Sequence, residues 1–518
     1  MYYFCGTLTR VYMKIRLPLV VLGFLLLTGV VDATLLTIEH YKYLQPQPFI
    51  LPCSVNSVID CGKVLQSPYA TIFGIPLAVL GLLYYGVITI LLITLIQFRK
   101  QVLFFFLFSL TAVGVLFSGY LLYVQAALIN RFCVYCLISG LVSVGIYLTV
   151  RYTWPAEHRS LCIARTHIAY RIVRPIIFLM PSELIHTLCV RFGELLGTIP
   201  IFRWLFRYWY VDTTYPLAQT VAGIRFPSPI GLSAGFDYEA RLTQILPECG
   251  CGFMTVGTIT KSPFEGNTPP RLGRLVKSQS LMVNKGFKNP GADAIIKKLE
   301  GKQCIVPLGI SIGITNTNSL KTEASAIKDI TDTFSKFEKS RICHSYYELN
   351  ISCPNLKSSI EFYAPSALSS LLSAVTRMKS KRPIFIKMPI NKTNKEIELM
   401  LDVIVKYKMA GVIFGNLQKD RTYKGFVKKE LQHYPVGNFS GKPTWERSNE
   451  LIDLTHKKYG KKLVIIGCGG VFSAEDAKEK MRRGASLVQL ITGMIFEGPQ
   501  LMAEINSEIA NHTENILQ

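Results

Sequence analysis

Four long apolar runs, residues 17–36, 71–97, 102–129 and 137–150, decide most of what this chain can become. Each is near the length a bilayer core requires, and a backbone in hydrocarbon can satisfy its polar groups only as a helix or a closed barrel. Four helical spans are therefore expected. Residues 132–136 can extend the last run, and Pro76 interrupts the second, which a membrane helix tolerates where neighbours satisfy the freed carbonyl. The first run also has signal-peptide features: Arg10, Lys14 and Arg16 precede it, and Val31-Asp32-Ala33 resembles a cleavage site. Retention as a span is the reading adopted.

Basic residues orient the spans. Arg10, Lys14 and Arg16 precede the first, Arg99 and Lys100 separate the second from the third, and Arg151, Arg159 and Arg165 follow the fourth. The positive-inside rule then places both termini and everything after the fourth span in the cytoplasm, as a multi-pass protein of the plasma (inner) membrane. The net charge of +23 comes from Lys and Arg beside spans and spread over the later residues, without a nucleic-acid motif. Attraction to anionic lipid accounts for it, and no nucleic-acid partner is expected.

Of the thirteen cysteines, four have informative positions. This topology puts Cys53 and Cys61 on an outside loop and Cys133-Val134-Tyr135-Cys136 at the outer end of span four. At a helix start, free backbone N–H groups and the helix dipole stabilise the first thiolate of a Cys-x-x-Cys pair. Such a pair suits dithiol–disulfide exchange, and a second pair on a mobile loop can carry electrons to it. Cys249 and Cys251 are too close together for metal or redox spacing and read as packing; no metal site is expected.

Residues 171–210 belong to neither the spans nor a soluble pattern. Leu184, Ile185, Leu188, Leu195 and Leu196 recur at helical spacing, while Arg171, Arg174, Arg191, Arg203 and Arg207 interleave with Trp204, Tyr208 and Trp209. A basic, aromatic amphipathic segment fits the membrane interface. From about Gly223, eight short apolar runs (229–232, 253–256, 306–312, 346–351, 383–388, 411–414, 463–467 and 487–491) alternate with helical patterns. That alternation predicts an α/β (β/α)8 barrel with its chemistry at the C-terminal strand ends. There stand Ala234-Gly235, Gly257-Thr258, Ser311, Asn350 with Cys353, Lys387, Asn416, Gly469-Gly470 and Thr492-Gly493. The last two pairs occupy the usual phosphate position of such barrels. Three domains follow: 1–152 transmembrane, 153–222 interfacial and 223–518 barrel.

Two resemblances sharpen this. Residues 15–150 resemble the vitamin K epoxide reductase family: a four-helix core, loop cysteines eight apart, Phe73-Gly-Ile-Pro76, and Cys133-x-x-Cys136 opening span four. The resemblance implies that a separate thioredoxin-like thiol donor outside feeds Cys53 and Cys61, which shuttle electrons to Cys133 and Cys136 beside a membrane quinone. Gly140 stands where vertebrate members have tyrosine, which implies quinone reduction rather than epoxide chemistry.

Residues 165–511 resemble a dihydroorotate dehydrogenase of the membrane-associated, quinone-dependent kind. The matching segments are Gly231-Leu-Ser-Ala-Gly-Phe-Asp237, Gly257-Thr258, Glu265-Gly-Asn267, Asn350-Ile-Ser-Cys-Pro-Asn355, Ile386-Lys387, Ser440-Gly-Lys-Pro443, Gly467-Cys-Gly-Gly470 and Gly484-Ala-Ser-Leu-Val-Gln489. By that resemblance FMN rests on Ala234, Gly235, Thr258, Asn350, Lys387, Gly441, Gly470 and Thr492. Cys353 is the base, where quinone-dependent members have serine, and a thiol ionises more easily near neutrality. A pyrimidine substrate would meet Asn284, Gly286, Phe287, Asn355 and Asn416.

The chain also departs from the pattern. Tyr238 replaces a substrate-binding lysine, Ser311 a flavin-contacting asparagine and Leu417 a substrate-contacting hydroxyl residue. Val283 aligns with an expected asparagine unless the register slips to Asn284. The expectation is a bifunctional membrane oxidoreductase in which both halves reduce quinone, one from outside thiols and one from dihydroorotate in pyrimidine biosynthesis. The alternative keeps the thiol-oxidising half and makes the barrel a divergent flavin-binding module without dihydroorotate turnover.

Overall fold

The computed structural model describes residues 2–42, 58–98, 100–211, 217–357 and 360–517, and the chain divides into two compact units, Met1–Leu161 and Cys162–Gln518.

In the first unit, α1 (Tyr2–Lys42), α2 (Leu77–Phe98), α3 (Gln101–Tyr123) and α4 (Val134–Thr153) are the four expected helices. Leu17–Lys42, Leu77–Phe98, Val102–Ile129 and Val134–Thr153 are each long and apolar enough to cross a membrane. Their shared core holds Leu22, Tyr85, Ile88, Phe104, Leu107 and Ile146. Outward, Leu116 and Leu141 are 75% and 72% exposed. An apolar outer surface of this extent belongs in a membrane, so the unit is membrane-associated. Small residues let the helices approach: a Cβ on Gly29 would lie 2.5 Å from the Tyr85 ring.

One expectation shifts. Pro76 does not interrupt a span: Thr71–Ile72 and Ile75–Pro76 pair as a short antiparallel hairpin, Phe73 and Gly74 turn at φ 49° and 78°, and α2 begins at Leu77. The fourth span is extended as expected: α4 starts at Val134, with Cys133 as its N-cap. Val31-Asp32-Ala33 lies within α1, with Asp32 and Ala33 buried, so the cleavage-like triplet is part of the bundle.

In the second unit all eight apolar runs become strands of one closed parallel barrel: β1 (Ile230–Leu232), β2 (Phe253–Ile259), β3 (Leu308–Ile312), β4 (Tyr346–Asn350), β5 (Ile384–Met388), β6 (Gly411–Phe414), β7 (Val464–Cys468) and β8 (Leu487–Leu490). Pairing of Val488 with Ile230 and Leu490 with Leu232 closes the ring. Strands covered on both faces read as unbroken apolar runs, which is why they were visible in the sequence. Inside, Phe253, Tyr346, Phe385, Ile413, Ile466 and Leu487 fill one end. The hairpin Gln219–Val221/Ile224–Phe226 covers it, Phe226 meeting Phe253 edge-on at 5.2 Å. Burying each large side chain contributes roughly 1.5–3 kcal/mol.

Helices α5 (Pro155–Leu179), α6 (Ser182–Thr198) and α7 (Pro200–Tyr210) precede the barrel, α6 and α7 meeting at 103°. One face turns to the barrel. Leu196 and Phe206 pack on its core, Tyr170 Oη donates to the Ile495 carbonyl at 2.6 Å, and Arg174 donates to the Phe496 carbonyl at 2.7 Å. The other face leaves Ile172, Ile176, Phe192 and Trp204 exposed, with Leu179 86% exposed. The expected amphipathic pattern is present, but its charges work differently. Arg203 reaches Gln244 at 3.2 Å and Arg207 reaches Glu248 at 3.7 Å, so these arginines fasten the helices to the barrel. Cys162 onward thus folds with the barrel as one unit. Cys304 and Cys343, in the loops before β3 and β4, form a disulfide that the sequence reading did not anticipate.

Candidate functional site

Two sites emerge, one in each unit. In the bundle, the end of α3 widens into a π-helical turn, Val124–Ile129, closed by left-handed Asn130. The turn buries Gln125, whose Oε1 accepts the Cys133 N–H at 2.8 Å. Cys133 is the N-cap of α4, and its Sγ accepts the Cys136 N–H at 3.4 Å. Upstream, Asp60 N–H donates to the Phe132 carbonyl at 3.0 Å and Phe132 N–H to the Val58 carbonyl at 2.9 Å. Asp60 also caps the one-turn helix Cys61–Leu65 by accepting Lys63 N–H. These clips bring Cys61 and Cys133 into one buried cluster with Cys136 packed against it. Cys61 is disulfide-bonded, and Cys53 lies outside the described residues. Asp32, buried in α1, is within electrostatic reach of both Cys133 and Cys136. It is a charged group that sequence reasoning treated only as part of a cleavage-like triplet.

In the barrel, a cavity opens over the C-terminal strand ends. One side is built of glycine turns. Gly441 (φ 84°) and Gly470 (φ 73°) line it with Thr492, whose Oγ1 meets Ser440 Oγ at 2.9 Å. A Cβ on Gly441 would lie 2.9 Å from Thr492 Cγ2 and collide with the Gln279 carbonyl, so only glycine leaves this cradle open. Gly470 and Val471 N–H groups donate to no acceptor among the described residues.

At the floor, Ala234, Gly235, Thr258 and Lys387 line the cavity. Lys387 Nζ donates to Ser233 Oγ at 2.9 Å and pairs with buried Glu348 at 3.7 Å. Asn350 does not line the cavity; it stands behind it, its Nδ2 donating to Thr258 Oγ1 at 2.8 Å. Ser311 is likewise withdrawn, bridging Thr258 at 2.9 Å and Glu348 at 2.8 Å.

The remaining wall carries Gly286, Phe287, Cys353, Asn355, Asn416 and Leu417. Burial pushes the Cys353 thiol up to about 12, against weaker opposite pulls from the Asn355 N–H, Lys419 and Lys387. Burial and the nearby cations thus act on this thiol in opposite directions, and burial is the larger influence. Asn416 donates to Ser352 Oγ, and Asn355 Nδ2 to the Val283 carbonyl at 3.0 Å. Asn284 corrects another expectation. It faces Asn267, whose Nδ2 donates to it at 3.1 Å, and does not line the cavity, whereas Val283 does. Neighbouring residues at a strand end point to opposite faces, so Val283 and Asn284 do not both enter the cavity.

Sequence reasoning missed Lys285 and His186. Both line the cavity against Tyr238: Lys285 Nζ is 4.3 Å from its ring centroid, and His186 stacks at 5.6 Å. Lys285 lay inside the Asn-Lys-Gly-Phe segment without drawing notice. His186 comes from α6, and no local pattern connects it to the barrel.

A closed eight-stranded barrel whose mouth gathers a glycine cradle, a buried lysine and a Cys–Asn wall defines an α/β-barrel enzyme. Residues 216–512 match the family model "Dihydroorotate dehydrogenase", and the chain belongs to that family. It is 34% identical over 343 residues to a dihydroorotate dehydrogenase (quinone) of Christiangramia forsetii, covering 65% of this chain and 97% of that one. It is also 33% identical to the enzyme of that name in Mycobacterium marinum, covering 66% and 92%. A crystal structure of DHODH from Eimeria tenella in complex with ferulenol shares the fold, at TM-score 0.58 and 23% identity over 66% of this chain and 95% of that one. Residues 20–150 match the vitamin K epoxide reductase family model.

Proposed function

We propose that the barrel oxidises dihydroorotate to orotate with FMN and passes the electrons to a membrane quinone. The observation that carries this reading is one cavity joining the glycine cradle, Lys387 and the Cys353–Asn355–Asn416 wall. FMN fits it: the cradle around Gly441 and Gly470 has space and unclaimed N–H groups for a phosphate. Lys387 supplies a buried cation for the ring, and Thr258, Ala234 and Gly235 complete the floor. When bound, FMN supplies a hydride acceptor. The carbon beside the substrate's ring carbonyl is the acidic one. Cys353 takes its proton as hydride leaves the carboxylate-bearing carbon, and Asn355 and Asn416 orient the ring's amides. Glu348, paired with Lys387, keeps that lysine's ammonium fixed.

The bundle oxidises protein thiols. A thioredoxin-like donor outside reduces the Cys53–Cys61 pair, that pair reduces Cys133–Cys136, and the inner dithiol gives two electrons and two protons to quinone. Cys61 in one buried cluster with Cys133 and Cys136 supports the transfer. Positive residues flanking the spans support cytoplasmic termini and barrel. The outer face of α5 to α7, carrying Ile176, Leu179, Phe192 and Trp204, supports contact with lipid.

A second reading, a flavin barrel without dihydroorotate turnover, is favoured by Val283 and Tyr238 in the cavity wall. Anaerobic flavin reduction decides: dihydroorotate should bleach the oxidised flavin of the full-length protein, and a flavin that stays oxidised would establish the second reading.

A further inference from the structure

A carboxylated substrate needs a cation or several N–H donors, because removing a carboxylate from water without them costs several kcal/mol. Tyr238 and Val283 supply neither charge nor N–H at the two positions where the family resemblance leads one to expect them. Three lysines line the cavity: Lys285, Lys288 and Lys387. Lys387 is committed to Ser233 and Glu348. Lys285 is held differently. Its ammonium sits over the Tyr238 ring at 4.3 Å, and His186 stacks on the same ring with 19° between planes. Tyr238 is therefore a platform fixed by an aromatic neighbour, and a cation over an aromatic face keeps its N–H groups available for an anion.

The backbone beside it is prepared in the same sense. Gly286 and Phe287 both take left-handed φ values, 62° and 64°. Asn316 Nδ2 donates to the Gly286 carbonyl at 2.9 Å and pins the turn. The N–H groups of Lys285, Gly286, Phe287 and Lys288 donate to no acceptor among the described residues. Successive unclaimed N–H groups in such a turn make an anion-binding concavity.

We propose that Lys285, carried on Tyr238 and backed by the N–H groups of residues 285–288, binds the substrate carboxylate, so that the cation absent at position 238 is supplied from the neighbouring loop. The inference rests on the dihydroorotate reading. It makes Lys285 a specificity-determining residue and leaves the proton and hydride transfers to the groups already described. Burial lowers the Lys285 ammonium to about 7; Glu183 and Glu239 pull it upward, and Lys288 and Arg271 push it further down. His186 faces the far side of the Tyr238 ring. A bound carboxylate favours the charged form, so affinity is full below about pH 7 and declines as pH rises through that value.

The experiment uses the full-length flavoprotein, with orotate binding read from the flavin spectrum and turnover from dihydroorotate oxidation. Lys285→Met should retain flavin and raise the orotate Kd and dihydroorotate KM on the order of 100-fold, with a smaller effect on kcat and none on the quinone KM. Lys285→Arg should retain most of the affinity, and Tyr238→Lys added to Lys285→Met should restore it. An orotate Kd within about twofold of wild type, or a change confined to the quinone KM, overturns the proposal. If Lys285→Met does not fold, the pH titration of the wild type decides. Orotate affinity falling about tenfold per pH unit above 7 supports the proposal, and a flat profile overturns it. Failure of wild-type protein to reduce its flavin with dihydroorotate would instead refute the activity itself, a separate outcome.

Discussion

The bundle and the barrel use apolar residues in opposite directions. In the barrel, Ile310, Phe385 and Leu487 are fully buried, and the charges that are buried with them, such as Glu348 and Lys480, are held by polar partners. In the bundle, Leu17, Leu116 and Leu141 face outward, whereas Asp32, Gln125, Cys61 and Cys133 are inside. The difference lies in the solvent each surface meets: water rewards burying apolar area, and hydrocarbon does not. It also sets how each site is built. The bundle holds its few reactive groups with polar side chains that accept backbone N–H groups, as Gln125 holds Cys133 and Asp60 the Cys61 helix. The barrel spreads its site over eight strand ends.

The sharpest test of that separation removes one reactive sulfur at a time. Cys136→Ala should abolish quinone-coupled thiol oxidation in proteoliposomes and leave dihydroorotate oxidation unchanged. Cys53→Ala should block transfer from protein thiols while dithiothreitol is still oxidised. Cys353→Ala should do the converse, slowing dihydroorotate-driven flavin reduction about 10²–10⁴-fold with the flavin retained. Loss of both activities in any of the three variants would show that the halves do not work independently. Because burial holds the Cys353 thiol up to about 12, and a base acts deprotonated, kcat should climb with pH through neutrality and beyond. Substrate affinity should fall over the same range as Lys285 loses its proton. A kcat already flat by pH 8 would place the base elsewhere.

The glycine cradle predicts a graded effect. Gly441→Ala adds a methyl at φ 84° against the Gln279 carbonyl and Thr492, so flavin should copurify about 10–100-fold more weakly, at a strain of roughly 1–3 kcal/mol. Undiminished flavin content would remove Gly441 from the phosphate site. In the bundle, Gln125→Ala leaves the buried Cys133 N–H without its acceptor, costing about 1–3 kcal/mol. The expected readout is a lower melting temperature of the bundle and a slower thiol oxidation, with barrel turnover untouched.

These effects also mark what the sequence made legible. The eight strands were readable because buried parallel strands are continuous apolar runs, and the Cys-x-x-Cys because its chemistry is local. The failures were all relational. Nothing near Asn284 reveals that it turns toward Asn267, since only the pairing of the Ser280–Val283 strand decides which neighbour faces the cavity. Asn350 and Ser311 lie one layer back because Thr258 and Glu348 hold them there. Lys285 gains meaning only from the Tyr238 ring, 47 positions earlier in the chain, that carries it. Gln125 became a positioning residue because a π-turn, which no propensity scale signals, redirects its side chain.

The smallest expected effect on activity tests which face of the membrane each half meets. The proposed topology has the barrel on the cytoplasmic side, where thiols are kept reduced, yet Cys304 and Cys343 are joined with their Cα atoms 5.7 Å apart. Both statements hold if the geometry permits the bond and the compartment withholds it. Acid-trapping thiols at lysis should then find Cys304 and Cys343 reduced, and air oxidation should join them. In intact, reduced cells an impermeant maleimide should label the Cys53–Cys61 loop and reach Cys343 only after breakage. Closing a loop of 39 residues stabilises by about 4 kcal/mol in the chain-entropy picture, so Cys304→Ser should lower the melting temperature of oxidised protein but leave turnover and abundance in cells unchanged. A bond already formed in acid-trapped cells, together with labelling of the barrel from outside, would invert the topology and place the barrel on the oxidising face.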